Sequence, residues 1–253
     1  MPASTSTALT ESVPLAARLL NAVNRHAFAT AVVACVLAAL PVAALGWEAA
    51  NGMLGPNPLE RVLRFPGRWA LILLLVVLSV TPLRHALVFT MRRAGIRCGR
   101  RLADWNWMIR MRRPLGLASF LYACGHFATY LALDAGFDPG EMAKDLLGKP
   151  FILAGLGAFL LLLPLAVTST DAWMRYLKRD WKRLHLLVYP AAILAVLHFV
   201  WLSKPGLTDP HAYALVLGVL LGYRAVARWL RVAEPVDALG EEIAHRTRKG
   251  AAP

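Results

Sequence analysis

Two histidines, His185 and His198, lie thirteen residues apart within the otherwise apolar stretch that spans residues 181–203. In a helix that rises about 1.5 Å per residue they would be about 20 Å apart, so one imidazole would lie near each face of a hydrocarbon core about 30 Å thick. Ionisable side chains within a membrane span usually mark a functional site, and histidine is a common axial ligand of haem iron. The alternative is that these histidines serve as donors of interhelical hydrogen bonds.

A third histidine, His126, lies in another apolar run, twelve residues after Pro114. That position is about 18 Å along a helix that begins at the proline. The order of the spans given below makes this run and the run that carries His198 cross the membrane in the same direction. We therefore expect His126 and His198 to share a level in the outer half of the membrane and to be the axial ligands of one haem.

The inner histidine, His185, then needs a partner on the helix of His126, and the residues at the matching depth are Arg112 and Arg113. Fourteen residues turn a helix through about 1400°, which places Arg112 within about 40° of His126, whereas thirteen residues leave a difference of about 140°. Arg112 is therefore the predicted partner in an inner cofactor site. Since arginine stays protonated, an equally supported alternative is that both arginines anchor the helix at the cytoplasmic face or pair with haem propionates.

The composition indicates a membrane protein, because the 253 residues are 58% hydrophobic and the mean hydropathy is +0.51. Repeated apolar runs of about 20 residues are typical of transmembrane helices. The sequence predicts an all-α membrane protein with a six-transmembrane-helix bundle that binds b-type haem. The predicted spans are Ala27–Trp47, Trp69–Leu83 or as far as Phe89, Leu115–Leu133, Phe151–Thr168, Leu184–Leu202 and Ala212–Trp229. The three cysteines form no C-x-x-C-H sequence, so ligation and packing would have to hold the haem.

The distribution of positive charge predicts the orientation of the bundle. Of the 28 Lys and Arg residues, 22 fall in the N-terminal segment, the second and fourth connections and the C-terminal part. By the positive-inside rule these segments are cytoplasmic, so both termini are expected in the cytoplasm. Because the charges cluster between apolar runs, the net charge of +13 indicates topology and contact with membrane lipid, and we expect no nucleic-acid partner.

Several motifs resemble those of MsrQ, the haem-binding membrane subunit family of the periplasmic methionine sulfoxide reductase system, within the ferric reductase-like transmembrane superfamily. The resemblance covers most of residues 25–230. The motifs that carry it are Thr81-Pro82-Leu83-Arg84, Arg112-Arg113-Pro114-Leu115-Gly116-Leu117 before His126, Thr168-Ser169-Thr170, and Trp181-x-x-Leu184-His185-x-x-Val188-Tyr189 leading to His198-Phe199-x-Trp201.

The resemblance implies a multi-pass cytochrome of the bacterial inner membrane with one or two b haems, and also FMN, for which no residue is assigned. It implies that electrons pass from membrane quinol or a cytoplasmic flavin reductase to a periplasmic molybdenum-containing partner that reduces methionine sulfoxide in proteins. The wider superfamily supplies two histidines from each of two helices, whereas the third span here has His126 alone. The 24 residues after Trp229 are too few for a dehydrogenase domain, so we expect electrons to come from another molecule.

The predicted organisation is a cytoplasmic segment at 1–25, the six-helix domain at 26–230 and a cytoplasmic tail at 231–253. The chain is expected to be a redox subunit, with sulfoxide reduction on the partner. Two other functions stay open from the sequence. One is a stand-alone reductase of ferric chelates or oxygen, and the other is a haem-free transporter that uses its buried histidines for protons or packing.

Overall fold

The computed structural model describes residues 15–203 and 210–250, and over 231–250 it describes the path of the helix alone. Within these ranges every regular element is a helix, and two of them are short 3₁₀ segments at Leu102–Trp105 and His185–Leu187. The α-helices are α1 (Leu15–Arg25), α2 (Ala27–Ala50), α3 (Pro58–Arg93), α4 (Asn106–Leu133), α5 (Pro139–Gly148), α6 (Pro150–Val167), α7 (Asp171–Leu177), α8 (Arg179–Leu184), α9 (Val188–Leu202) and α10 (Pro210–Gly250).

Six helical segments in the described part of the chain are long and apolar enough to cross a membrane, which confirms the predicted number of spans. They are Phe28–Ala50, Pro58–Arg93, Leu102–Leu133, Pro150–Val167, Arg179–Leu202 and Pro210–Leu230. Large apolar side chains such as Leu37, Leu121 and Val219 lie exposed on the outside of the bundle. A continuous apolar exterior of this kind fits contact with lipid hydrocarbon.

The second span is much longer than predicted, because α3 continues beyond both ends of the segment 69–83. It begins at Pro58, whose missing N–H costs nothing at the first helical position, and the side chain of Asn57 accepts a hydrogen bond from the backbone N–H of Glu60. Pro66 and Pro82 lie inside α3 without ending it. Packing against neighbouring helices allows a membrane helix to tolerate such prolines.

The fifth span is divided into α8, the 3₁₀ turn at His185–Leu187 and α9. Pro190 lies in the first turn of α9 and offers no N–H to the carbonyl of Leu186, so one hydrogen bond of the α-helical ladder is missing where the 3₁₀ turn meets α9. Beyond the turn, Ala191 and Ala192 are fully buried. Small residues at these positions let α9 pack closely inside the bundle.

A tyrosine from α4 hydrogen-bonds to backbone groups of α2 next to Pro41. The hydroxyl of Tyr122 accepts a hydrogen bond from the N–H of Val42 at 3.1 Å and donates one to the carbonyl of Ala38 at 2.8 Å. In a regular helix those two backbone groups would bond to each other, so the hydroxyl has inserted into the helical ladder. This contact fixes α2 against α4.

The core lies where α3, α4, α6, α9 and α10 meet. Ser119 on α4 is almost fully buried and donates a hydrogen bond to the carbonyl of Ala70 on α3 at 2.8 Å, which brings these two helices close together. The largest buried apolar cluster consists of Leu71, Leu74, Leu75, Leu78, Leu162, Ala191, Ala192, Val196, Leu217 and Leu220. Toward one end of the bundle this core opens into a cavity between α3, α4, α6 and α9.

Candidate functional site

His126 on α4 and His198 on α9 face each other across this cavity. Their ring centroids are 6.0 Å apart and their ring planes are inclined by 65°. Bonds of about 2.0 Å from a metal to one nitrogen of each of two opposed imidazoles place the ring centroids about 6 Å apart. The two rings therefore stand at the separation that a single metal atom between them requires.

A backbone carbonyl fixes each of these rings. The Nδ1 atom of His126 lies 2.8 Å from the carbonyl oxygen of Leu63, and that of His198 lies 2.6 Å from the carbonyl oxygen of Phe151. A carbonyl oxygen can only accept, so each Nδ1 carries the proton and donates it. Each Nε2 atom then keeps a lone pair, which is the arrangement of a neutral imidazole prepared to bind a metal.

The cavity measures about 390 Å³ and has a mainly apolar wall. Leu71, Leu74, Phe127, Phe159 and Leu162 belong to that wall, together with the two histidines. Within the described residues no group of three or more His, Cys, Asp or Glu side chains comes together to hold a metal ion. Two imidazoles do not complete a metal's coordination shell, whereas a porphyrin adds four nitrogens and has an apolar macrocycle that suits this wall.

Charged groups lie at the end of the bundle where the cavity is found. Arg68, Asp134 and Lys149 contribute to its lining. Lys149 pairs with Asp145 at 2.6 Å, and this hydrogen bond lowers the pKa of the Asp145 carboxyl and raises the pKa of the Lys149 ammonium. The cavity thus combines an apolar wall with charged groups, as an amphipathic cofactor with carboxylate substituents needs.

The structure places His185 toward the opposite end of α9, in the 3₁₀ turn. Its Nδ1 atom lies 3.0 Å from the carbonyl oxygen of Trp181, and its ring stacks on the Trp181 ring with centroids 3.9 Å apart. A 3₁₀ turn rotates the chain by about 120° per residue, compared with about 100° in an α-helix. In ideal helical geometry this difference reduces the angular offset between His185 and His198 from about 140° to about 80°.

Arg112 lies half-buried between helices and hydrogen-bonds to the hydroxyl of Thr81 on α3. It is within electrostatic range of Arg84 and Arg224, which lie on α3 and α10. One nitrogen of each of these three guanidiniums is buried without a hydrogen-bond partner. Arg113, by contrast, is exposed and pairs with Asp171 at 2.6 Å.

The sequence of the chain matches known membrane proteins over most of this architecture. Residues 66–196 match the family described as "Ferric reductase like transmembrane component". A protein of Xanthomonas axonopodis pv. citri, named "Protein-methionine-sulfoxide reductase heme-binding subunit MsrQ", is 43% identical over 190 residues, which cover 73% of this chain and 80% of the relative. A protein of the same name from Azospira oryzae is 45% identical over 177 residues, which cover 69% of each chain. The chain belongs to the MsrQ family.

The part of this MsrQ-family chain that matches the ferric reductase family contains His126, His185 and Arg112, and it ends two residues before His198. Of the predicted site residues, the structure brings His126 and His198 together. It places His185 and Arg112 toward the other end of the bundle, each in contact with different neighbours.

Sequence reasoning missed the groups that hold the two opposed rings. The carbonyl oxygens of Leu63 and Phe151 carry no side-chain signature, so no motif could reveal them. Gly67 and Gly155 lie directly against the rings, and an isolated glycine inside an apolar helix is a signal of close approach. Gly157 gives the same signal beside Gly155, so the sequence does not distinguish the two.

Proposed function

We propose that this chain is the haem b electron-transfer subunit of a protein-methionine-sulfoxide reductase system. The observation that carries the proposal is the pair His126 and His198, with centroids 6.0 Å apart and each Nδ1 bonded to a carbonyl. The names of the relatives describe a haem-binding subunit of such a system, which agrees with this geometry.

In this proposal His126 and His198 hold the haem through their Nε2 atoms, and the carbonyls of Leu63 and Phe151 keep both rings in the ligating tautomer. The apolar wall excludes water and favours a buried macrocycle, while Arg68 provides positive charge for the carboxylate substituents. When bound, the haem supplies a one-electron carrier whose potential depends on its ligands and its burial.

A second cofactor site is proposed toward the cytoplasmic end, with His185 and Arg112 as its predicted residues. The arginine cluster of Arg84, Arg112 and Arg224 has buried nitrogens that lack partners, and buried charge is costly unless it is paired. Propionates of an inner haem or the phosphate of FMN would supply the missing negative charge. Arg112 then contributes as a partner of those acid groups, or as a ligand opposite His185.

The proposed direction of electron flow follows from this arrangement. Electrons enter at the cytoplasmic end from quinol or from a flavin reductase, and they leave at the end that carries the His126 and His198 pair. The acceptor is a periplasmic molybdenum-containing methionine sulfoxide reductase, and the chain lies in the bacterial inner membrane. Sulfoxide reduction takes place on that partner.

Haem content tests the proposal directly. We expect His126→Ala and His198→Ala to lose the same haem, because each removes one of two ligands to one iron. The measurements are haem per protein and the reduced-minus-oxidised spectrum of purified protein in lipid. His26→Ala is the matched control, since His26 is exposed between α1 and α2 and should leave both measurements unchanged.

The same preparation tests the inner site. His185→Ala and Arg112→Ala should leave the outer haem intact and remove a second haem or the flavin. Wild-type protein without haem from haem-replete cells would contradict the whole proposal. A wild type with one haem and no flavin, unchanged by His185→Ala, would rule out the inner site alone.

A further inference from the structure

Two glycines from two different helices lie directly against the rings of the opposed histidines. A Cβ atom added to Gly155 on α6 would lie 2.7 Å from Nδ1 of His198, a distance that real Cβ contacts essentially never show. A Cβ atom added to Gly67 on α3 would lie 3.1 Å from Nδ1, Cγ and Cε1 of His126. In both cases the ring edge that carries Nδ1 occupies the space of the missing side chain.

The position of each glycine relative to the acceptor carbonyl is the same. Leu63, whose carbonyl binds His126, lies four residues before Gly67, and Phe151, whose carbonyl binds His198, lies four residues before Gly155. In an α-helix a side chain leans toward the N-terminus and covers the turn that precedes it. A side chain at either glycine would therefore cover the carbonyl that the histidine needs.

We propose that Gly67 and Gly155 are positioning residues that expose one backbone carbonyl each to a ligand histidine. The two sites share one arrangement, in which the ring edge that carries Nδ1 lies against the glycine and the Nδ1–H reaches the carbonyl one turn earlier. This arrangement fixes the tautomer and the direction of Nε2 before any metal binds. The part that concerns iron rests on the proposed function, whereas the part that concerns the tautomer depends on this chain alone.

Two glycines on α6 and α4 that do not touch the histidine rings provide matched controls. A Cβ on Gly157, two residues further along α6, would meet the flexible end of the Leu194 side chain at 3.2 Å. A Cβ on Gly116 of α4 would meet nothing within 4 Å. Alanine at these two positions should therefore fit, and it also removes the conformational freedom of a glycine from a helix, just as it does at the test positions.

The experiment compares Gly155→Ala and Gly67→Ala with Gly157→Ala and Gly116→Ala in full-length protein in lipid. Loss of groups that orient a metal-bound histidine typically weakens metal binding by about 10-fold to 100-fold. We expect a loss of haem affinity of about 10-fold for Gly155→Ala and a smaller loss for Gly67→Ala, because its contact is less close. The haem that remains should have a higher midpoint potential, since an imidazole without its acceptor is a weaker donor to iron.

A second measurement separates this proposal from the proposed function. Nitrogen-15 NMR of histidine-labelled protein in liposomes reports which ring nitrogen carries the proton, with or without haem. We expect the Nδ1–H tautomer at His126 and His198 in the wild type and in both controls, and a mixture of tautomers at the affected histidine in each test variant. If the wild type lacks haem but these shifts occur, the proposed function fails and the glycine proposal stands.

Unchanged haem affinity, potential and tautomer in Gly155→Ala would overturn the proposal. If Gly155→Ala does not insert into the membrane, the same measurements on Gly67→Ala test the proposal instead. That variant should still fold, because the His126 ring needs to shift by only a few tenths of an ångström to accept the added Cβ. Equal changes in the test variants and the controls would also overturn it, since they would reflect a general effect of alanine in these helices.

Discussion

Asp145 binds two groups at the end of the bundle where the cavity lies. Its carboxylate pairs with Lys149 at 2.6 Å and accepts a hydrogen bond from the hydroxyl of Tyr130 at 3.0 Å. We expect Asp145→Asn to destabilise the protein at neutral pH by about 1 kcal/mol, because it removes a partly exposed ion pair and weakens the bond to Tyr130. Thermal unfolding in detergent at pH 7 would measure the loss.

The pH dependence of this effect has a definite sign. The pKa of Asp145 is lowered in the folded state by Lys149, so its stabilising contribution is present above the unfolded pKa of about 4 and is lost as the pH falls through the folded pKa. The difference between wild type and Asp145→Asn should therefore shrink below about pH 4. Glu141→Gln is the control, since Glu141 pairs with Lys144 on the exposed face of α5. A difference that persists unchanged at low pH would contradict the assignment.

At the scale of the elements, removal of the Tyr122 hydroxyl tests how much its hydrogen bonds to α2 beside Pro41 stabilise the protein. Tyr122→Phe keeps the ring in the core but leaves the N–H of Val42 and the carbonyl of Ala38 without their partner. We expect a loss of about 1–2 kcal/mol, because an unmade buried hydrogen bond costs about 1–3 kcal/mol and membrane hydrogen bonds average less. Unfolding in detergent would measure it, with the exposed Tyr176→Phe as control. Equal stability of the two variants would show that the inserted hydroxyl contributes nothing.

The sequence predicted the number of membrane-spanning segments correctly because hydropathy is a property of whole segments, whereas helix ends depend on packing. The second span was placed from Trp69, since Arg61, Arg64 and Arg68 interrupt the apolar run before it. The structure begins α3 at Pro58 because the cap at Asn57 and contact with α4 outweigh that polarity. The fifth span was predicted as one helix from Leu184 to Leu202, whereas the structure has a 3₁₀ turn at His185–Leu187 just before Pro190.

The candidate site could also be predicted in part: the histidine pair was predictable, but the groups that orient the rings were not. Residue type and depth were enough to pair His126 with His198, since side-chain chemistry and helix rise are written in the sequence. The acceptor carbonyls of Leu63 and Phe151 were not predictable, because every residue has a carbonyl and packing alone determines which one a ring reaches. Of the arginine cluster, the sequence predicted Arg112 alone as a site residue. Its contact with Arg84 and Arg224 was not predictable, because the three residues come from three helices whose mutual contacts no local pattern specifies.

At the scale of the whole molecule, the direction of electron flow depends on which end of the bundle faces the cytoplasm. The positive-inside rule assigns the cytoplasmic side to the connection between α3 and α4, which contains the native Cys98. Cys35 lies in α2 and Cys124 in α4, both within spans. In a Cys35→Ser, Cys124→Ser background, Cys98 is therefore a single probe of orientation.

We expect a membrane-impermeant maleimide to leave Cys98 unlabelled in intact spheroplasts and to label it in inverted vesicles. A companion variant with Cys98→Ser and Asp138→Cys carries its probe at the start of α5, near the His126 and His198 end, and should show the opposite pattern. Labelling of Cys98 from outside would place the arginine cluster toward the periplasm and reverse the proposed electron path. Because the two probes lie at opposite ends of one bundle, a consistent pair of results fixes which cofactor site meets the donor and which meets the acceptor.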